Sequence, residues 1–442
     1  MIGRGRLRAR PGIPNSKPRN GASPIAGQHG PAAAPVLRGP QRERHEPDWL
    51  LLFSVVALAT LGILMVYSST GVIFGDAIVG PQAVWGVFGA VLMVATMRID
   101  YRYLRLISVP AFIVALVLLV IVMLLPTTGP VHRIEAGGSS RWLQIGPLPA
   151  MHPAEFAKLA LVVYLAHWLA RRGSRTASLT QGLLPFLAIL GLVVLLVLVE
   201  PDLGTTGVLA LTGLTMFFVA GGRLSHFAVL IPAGVAAVAI AVSQSAYQMQ
   251  RVQTFLNPWA DRLGDGHQTV QGLLALGMGG ATGIGIGQSR QPGAMSLPQS
   301  QNDFVFALVG QELGFIGAVA VIGLYLLLAY RGIRVALGAP DTFGALLATG
   351  ITAWLVIQAF INIAVVVVLL PITGITLPFV SAGGSSLLVS FAAVGILLSI
   401  SRESQSGGST DDADPGRSRG HRRPHLPGAR RPASPGATPA RP

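Results

Sequence analysis

The stretch Ser296–Gly317, SLPQSQNDFVFALVGQELGFIG, sets a carboxylate, Asp303, at the mouth of an apolar run, with nothing cationic beside it in sequence. A carboxylate within reach of a substrate hydroxyl can act as general base. Asn302 or Asp303 can instead cap the helix that follows, whose N-terminus favours an ionised acid. Glu312 lies about two and a half helical turns deeper and reads as structural. Other ionisable residues sit at the edges of other apolar runs. Glu155 and Lys158, in PAEFAKLALVVYLAHWLA, are three apart and so share a helical face. They suit a self-neutralising pair at a helix start, or an ammonium group that also holds an anionic headgroup. In VLVEPDLGTTGVLAL, Glu200 and Asp202 fall in a tight turn where Asp202 can cap the next helix. Arg141, in SSRWLQ, is either an interfacial anchor or a guanidinium fork for phosphate. Ionisable groups in such places mark function by default.

Several chemistries are excluded. The chain has no cysteine, hence no disulfide, thiolate metal site or thiol nucleophile. No HExxH occurs, and His132, His152, His167, His226 and His267 are scattered, which argues against zinc. A Mg²⁺ or Mn²⁺ ion bridging a carboxylate and substrate phosphates stays open. Gly277, Gly279, Gly280, Gly283, Gly285 and Gly287 match GxGxxG in no register, so they read as tight turns and close helix approach rather than a nucleotide loop. No Ser-His-Asp pattern stands out.

The elements that must position these residues are membrane helices. Of 442 residues, 51% are hydrophobic and only 11% charged, against about 25% charged in a soluble domain. Apolar runs long enough for the bilayer core recur at about 49–67, 82–97, 106–125, 154–170, 183–199, 205–221, 226–243, 303–330, 344–370 and 384–400. The first begins too late, and lacks the small-residue site, to be a cleaved signal peptide. The expectation is an all-α polytopic membrane protein with ten transmembrane helices. With the N-terminus cytoplasmic, Arg98, Arg102, Arg105, Arg171, Arg172, Arg175, Arg223, Arg331 and Arg334 fall inside. Arg133, Arg141, Arg251, Arg262 and Arg290 fall outside, in agreement with the positive-inside rule. Both termini are then cytoplasmic, and a large extracytoplasmic loop, 244–302, joins helices 7 and 8. Its part HQTVQGLLALGMGGATGIGIG reads as a short re-entrant or interfacial helix followed by turns.

The net charge of +14 is concentrated at the ends. Residues 1–48 hold nine Arg and Lys against three acids, and residues 402–442 hold eight against four. Both tails are rich in Pro, Gly and Ala and are expected to be disordered and cytoplasmic, flanking a membrane domain at 49–401. Attraction to anionic lipid is favoured over nucleic acid binding.

Five motifs in fixed order resemble a known family. They are SSRWLQIGPLPAMHPAEFAKLALVVYLA, EPDLGTT, RVQTFLNPWADRLGDGHQTVQGLLALG, LPQSQNDFVFALVGQELGFIG and LLPITGITLPFVSAGGSSLL. Together they resemble the SEDS proteins, the FtsW, RodA and SpoVE group of bacterial cell-wall polymerases, over about residues 48–402. The resemblance implies ten membrane helices with both ends cytoplasmic. It implies polymerisation of lipid II into glycan strands outside the membrane, beside a class B penicillin-binding protein transpeptidase and other division proteins. The family's proposed catalytic aspartate falls on Asp303. Its paired Glu and Lys fall on Glu155 and Lys158, its RW arginine on Arg141 and its PDLGT aspartate on Asp202. The glutamine of its xYQxxQ stretch falls on Gln268 or Gln271. The chain departs from the family pattern at Gln299, Gln301, Asn302, His152, Gln311 and Ala382, which bears on substrate contacts and on tuning of Asp303.

The expected reaction is an inverting glycosyl transfer. Asp303 takes the proton of the acceptor hydroxyl, and the lipid diphosphate leaves with help from Arg141, Lys158 or a divalent metal. A wet outward cavity is expected to solvate Asp303. The IGPLPAMHPAEFAK and NDFVFALVGQELG runs are closer to the division type, which is expected to work at the septum; the elongation type is the alternative. A lipid flippase or a non-catalytic scaffold are rivals from other classes. A flippase needs a polar path to both faces, whereas these charges gather outward.

Overall fold

The computed structural model describes residues 46–70, 76–136, 139–146, 150–290 and 301–403. The tails assigned to 1–48 and 402–442 lie outside these residues except for 46–48 and 402–403, as does Gln299. Twelve α-helices are formed among the described residues: α1 (Trp49–Thr70), α2 (Asp76–Arg98), α3 (Leu104–Leu124), α4 (Pro153–Ala170), α5 (Leu184–Val199), α6 (Leu203–Val219), α7 (Leu224–Ser243), α8 (Ala246–Leu256), α9 (His267–Gly279), α10 (Val305–Gly338), α11 (Thr342–Val366) and α12 (Gly384–Arg402). Seven spans, those of α1, α3, α5, α7, α10, α11 and α12, are long and apolar enough to cross a bilayer. Gln82–Arg98 of α2 and Leu203–Val219 of α6 are apolar but shorter. In α4, 18 residues long, the apolar sequence is interrupted by Glu155 and Lys158. Helices of this length and composition make the chain a multi-pass membrane protein. Side chains such as Phe53, Val87, Phe88, Val117, Leu195 and Phe315 face outward, as lipid contact requires.

The core lies where α4, α6, α10, α11 and α12 meet, around Trp354, Phe217, Phe186, Phe343, Leu161 and Tyr325. α12 is apolar and almost wholly buried, and α2 packs along it. α7 stands at the other extreme, with no buried residue.

Two ends of the bundle differ in chemistry. One carries a set of arginine ion pairs: Arg102 meets Asp341 at 3.3 Å and Glu403 at 3.1 Å, Arg105 meets Asp341 at 3.0 Å, and Arg331 meets Asp48 at 2.6 Å. The opposite end holds the polar segments between α3 and α4, α5 and α6, α7 and α10, and α11 and α12.

The α3–α4 connection contains structure that the sequence reading did not anticipate. β1 (Val131–Ala136) and β2 (Ser139–Ile145) form an antiparallel hairpin in which Val131 faces Ile145, with a register shift between Ile134 and Glu135. Leu143 bridges on to Met151. SSRWLQI is short and far from membrane length, so a search tuned to membrane-length runs passes over it.

The α7–α10 connection forms two helices. α8 is amphipathic and half exposed, and α9 packs along the first turns of α10. A short helix, α9, forms where one was expected within 267–287. Beyond it the chain turns and repairs a break in α10. Gly314, at φ +68°, interrupts that helix. The carbonyls of Gln311 and Glu312 would ordinarily accept from the amides of Phe315 and Ile316. They accept instead from Ile284 and Gly285, while Phe315 and Ile316 donate to Gly280 and Ala281. Two helix rungs are thus replaced by four bonds to the turn. A side chain at Gly314 would meet the Gly283 amide at 2.3 Å, so the crossing requires glycine. Glu312, read as structural, fastens this crossing: it accepts from Ser68 of α1 at 2.6 Å and from Ser289.

Candidate active site

Asp303 lies two residues before the first residue of α10. The cap position is Phe304, which makes no side-chain capping bond, so neither Asn302 nor Asp303 serves as the cap considered from sequence. Its backbone is fixed from α11: Asn362 Nδ2 donates to the Asp303 carbonyl and to the Ile375 carbonyl, each at 2.8 Å. The Asp303 side chain is 7% exposed, and its Oδ1 has no hydrogen-bond partner. The open solvation expected from sequence is therefore replaced by cover. Burial lifts the carboxyl to about 6, opposed by a backbone amide bond and by the positive charge of Arg251. The cation that sequence proximity did not supply thus arrives from α8.

The segment Ile372–Thr376 joins the other groups. Arg251 Nη1 donates to the Ile372 carbonyl at 3.0 Å, and its Nη2 donates to the Tyr247 hydroxyl. Gly374 faces the Arg141 guanidinium. Thr376 accepts at its carbonyl from Gln358 Nε2 at 2.9 Å.

Arg141, delivered by β2, closes the exposed end of α5. Its Nε donates to the Glu200 carbonyl at 3.3 Å and its Nη2 to the Pro201 carbonyl at 2.6 Å, while Nη1 stands 3.8 Å from Asp202 Oδ1. Asp202 caps α6 as read from sequence, accepting from the Thr205 amide at 3.0 Å and hydroxyl at 2.8 Å. Glu200 is buried, and neither carboxyl oxygen has a partner. Burial, with Asp202 adding to it, raises Glu200 to about 8 against the pull of Arg141. His152 Nε2 lies 3.7 Å from Asp202 Oδ2, and burial lowers the imidazole below its usual range, leaving it neutral near pH 7.

Glu155 and Lys158 form a buried pair at 2.6 Å. Lys158 also donates to Gln358 Oε1 at 2.6 Å and lies over the Trp354 ring, and the residue is only 2% exposed. Of the two readings made from sequence, this geometry fits the internal pair. Gln268 and Gln271 are half-buried on α9, each with an unpartnered amide atom, and the next residue, Gly272, packs against Phe304. The structure therefore gathers Asp303, Arg141, Asp202, Glu155 and Lys158 around one segment and sets the glutamines alongside through Phe304. Among the described residues no three His, Asp or Glu side chains converge as a metal cage. Asp202, a carboxylate well placed for one, already faces Arg141.

The family model of the FtsW/RodA/SpoVE cell cycle proteins matches residues 48–406. The chain belongs to the FtsW/RodA/SpoVE family. Among FtsW/RodA/SpoVE relatives, stage V sporulation protein E of Bacillus subtilis is 41% identical over 369 residues, 82% of this chain and 99% of that protein. A probable peptidoglycan glycosyltransferase FtsW of Trichlorobacter lovleyi is 40% identical over 375 residues, 83% of this chain and 96% of its own length. Among solved structures, a chain of a peptidoglycan synthase complex that coordinates polymerization and crosslinking matches with a TM-score of 0.68 at 30% identity, covering 81% of this chain and 98% of that one. The rod shape determining protein RodA of Thermus thermophilus matches with a TM-score of 0.60 at 28% identity, covering 81% and 98%.

Sequence reasoning passed over Arg251, Asn362, Gln358 and His152 as site residues. Gln358 and Asn362 are polar residues four apart inside an apolar run, a signal that was available. Arg251 lies in a helix of alternating polarity and carried no such mark.

Proposed function

We propose that the protein is a peptidoglycan glycosyltransferase of the FtsW type, polymerising lipid II during cell division with Asp303 as general base. The observation that carries this reading is the buried carboxyl of Asp303, held from α11 through its main chain and set next to the gathered polar groups. A base needs an affinity for protons close to the working pH, and burial supplies it. Family membership and relatives named as glycosyltransferases support the same reading.

In this reading ten spans place both tails in the cytoplasm and Asp303 on the extracytoplasmic side. The acceptor hydroxyl of one lipid-linked saccharide gives its proton to Asp303. Its oxygen bonds to the anomeric carbon of the donor strand, and the bond from that carbon to the lipid diphosphate breaks. The diphosphate departs with the electron pair, so a single displacement inverts the centre. Arg141, anchored on the Glu200 and Pro201 carbonyls, presents fixed positive charge for the leaving diphosphate. Gln268 and Gln271 offer unused amide atoms for sugar hydroxyls. No step runs through a metal. A class B penicillin-binding protein is the proposed partner, in keeping with the synthase complex that the fold resembles.

The test is Asp303→Asn in full-length protein reconstituted into vesicles with lipid II. The variant is expected to fold and to bind lipid II but to make no glycan. Near-normal polymer would refute the role of Asp303. Lipid II crossing the vesicle membrane without polymer formed by the wild type would favour a flippase instead.

A further inference from the structure

Arg251 has no part in the scheme above, although its charge acts on Asp303. Its placement is constrained twice. Nη1 donates to the Ile372 carbonyl, and the guanidinium lies over the Tyr247 ring at 4.4 Å while bonding the hydroxyl of that residue. Three residues on from Ile372, Ile375 accepts from Asn362, which also holds the Asp303 carbonyl. The Arg251 guanidinium and the main chain of Asp303 are therefore tied to the same short segment. We propose that Arg251 is a positioning residue for the base: its guanidinium, pinned between Ile372 and Tyr247, supplies the counter-charge that lets a buried Asp303 stand ionised and ready for the acceptor proton. The inference rests on the reading of Asp303 as general base.

A buried carboxylate without a compensating cation keeps its proton. Other titratable groups facing Arg251 are Asp202 in the α5–α6 turn, Arg141 on β2 and the neutral Tyr247 hydroxyl on its own helix. α11 presents the neutral Asn362 and α9 the neutral Gln268 and Gln271. Lys158 is held by Glu155 and Gln358, and Glu312 by Ser68 and Ser289. Among the described residues Arg251 is the cation acting on Asp303, and an arginine keeps its charge at every working pH.

The experiment measures polymerisation of lipid II against pH, from 5 to 9 in roughly half-unit steps, for the full chain in vesicles. Arg251→Gln is expected to move the acidic limb upward by about one pH unit, so that its deficit at pH 6 exceeds its deficit at pH 8.5 by about fivefold. Arg251→Lys is expected to keep the limb near its wild-type position. A rate loss in Arg251→Gln that is uniform across pH overturns the proposal. If that variant does not fold, as judged by thermal melting in detergent, Tyr247→Phe loosens the same anchor. It is expected to shift the limb the same way by less, and an unmoved limb overturns the proposal. A wild-type profile with no acidic limb overturns the reading of Asp303 as base, and this inference with it.

Discussion

Asn362 Nδ2 stands 2.8 Å from the main-chain oxygen of Asp303, and this bond sets where α10 begins relative to α11. The same amide nitrogen reaches the Ile375 carbonyl, so one side chain joins three segments. Asn362→Leu keeps the size and removes both bonds. Each buried carbonyl left unpaired costs about 1–3 kcal/mol, and polymerisation is expected to fall about 10- to 100-fold. The check compares rate in vesicles with the melting temperature. A lowered melting temperature with an unchanged rate would show that the bond supports the fold without positioning Asp303.

Lys158 and Glu155 are expected to behave as partners in stability. Lys158→Met leaves a buried carboxylate without its cation, a loss of about 3–5 kcal/mol. Adding Glu155→Gln should recover much of it, because the stranded charge is then gone. A double-mutant cycle on thermal unfolding measures the coupling. Additive losses would mean that the two side chains act separately, as expected if Lys158 chiefly serves a ligand.

Glu200 gives stability a pH dependence of definite sign. In the fold its carboxyl titrates at about 8, against 4.5 for the ordinary group. The folded state therefore binds more protons than the unfolded state between those values, and stability falls as pH rises through that window. Glu200→Gln cannot ionise. It is expected to melt close to the wild type at pH 5 and above it at pH 9, by an amount on the order of a few kcal/mol. Equal melting temperatures at pH 9 would place an unrecognised cation or solvent beside Glu200.

Gly314→Ala tests the crossing of α10 with the turn after α9. The substitution adds a methyl group against the Gly283 amide and demands φ +68° of an alanine. A loss of more than about 2 kcal/mol is expected, seen as a poor yield of folded protein and early protease cleavage within 280–290. Ordinary yield and protection would mean that the crossing adjusts at little cost.

Much of the scaffold was legible in the sequence because lipid imposes a simple rule. Every run such as 106–125 or 384–400 has to satisfy its backbone internally, and a helix does so. The runs coincide with helices even where α4 carries Glu155 and Lys158. The end of the bundle that gathers the polar residues was legible from the arginines. The β1–β2 hairpin was missed because its strands are only six and seven residues long and carry no strict alternation. In the site, Asp202 as cap and Glu155 with Lys158 as a pair followed from local spacing. The approach of Arg251 to Asp303 did not, because it depends on where α8 comes to rest and on a sequence separation of 121 between Arg251 and its acceptor Ile372. Contacts of that kind are set by tertiary packing, which local spacing does not encode.

The broken rungs of α10 also bear on how the protein is made. Ile284 and Gly285 leave the ribosome before the carbonyls of Gln311 and Glu312 exist. Until α10 follows, their amides have no acceptor there, and hydrocarbon offers none. The turn must therefore wait in a watery vestibule or against the insertion machinery. Closure of the turn is therefore a late event in biogenesis, completed only once α10 has been made and packs against it.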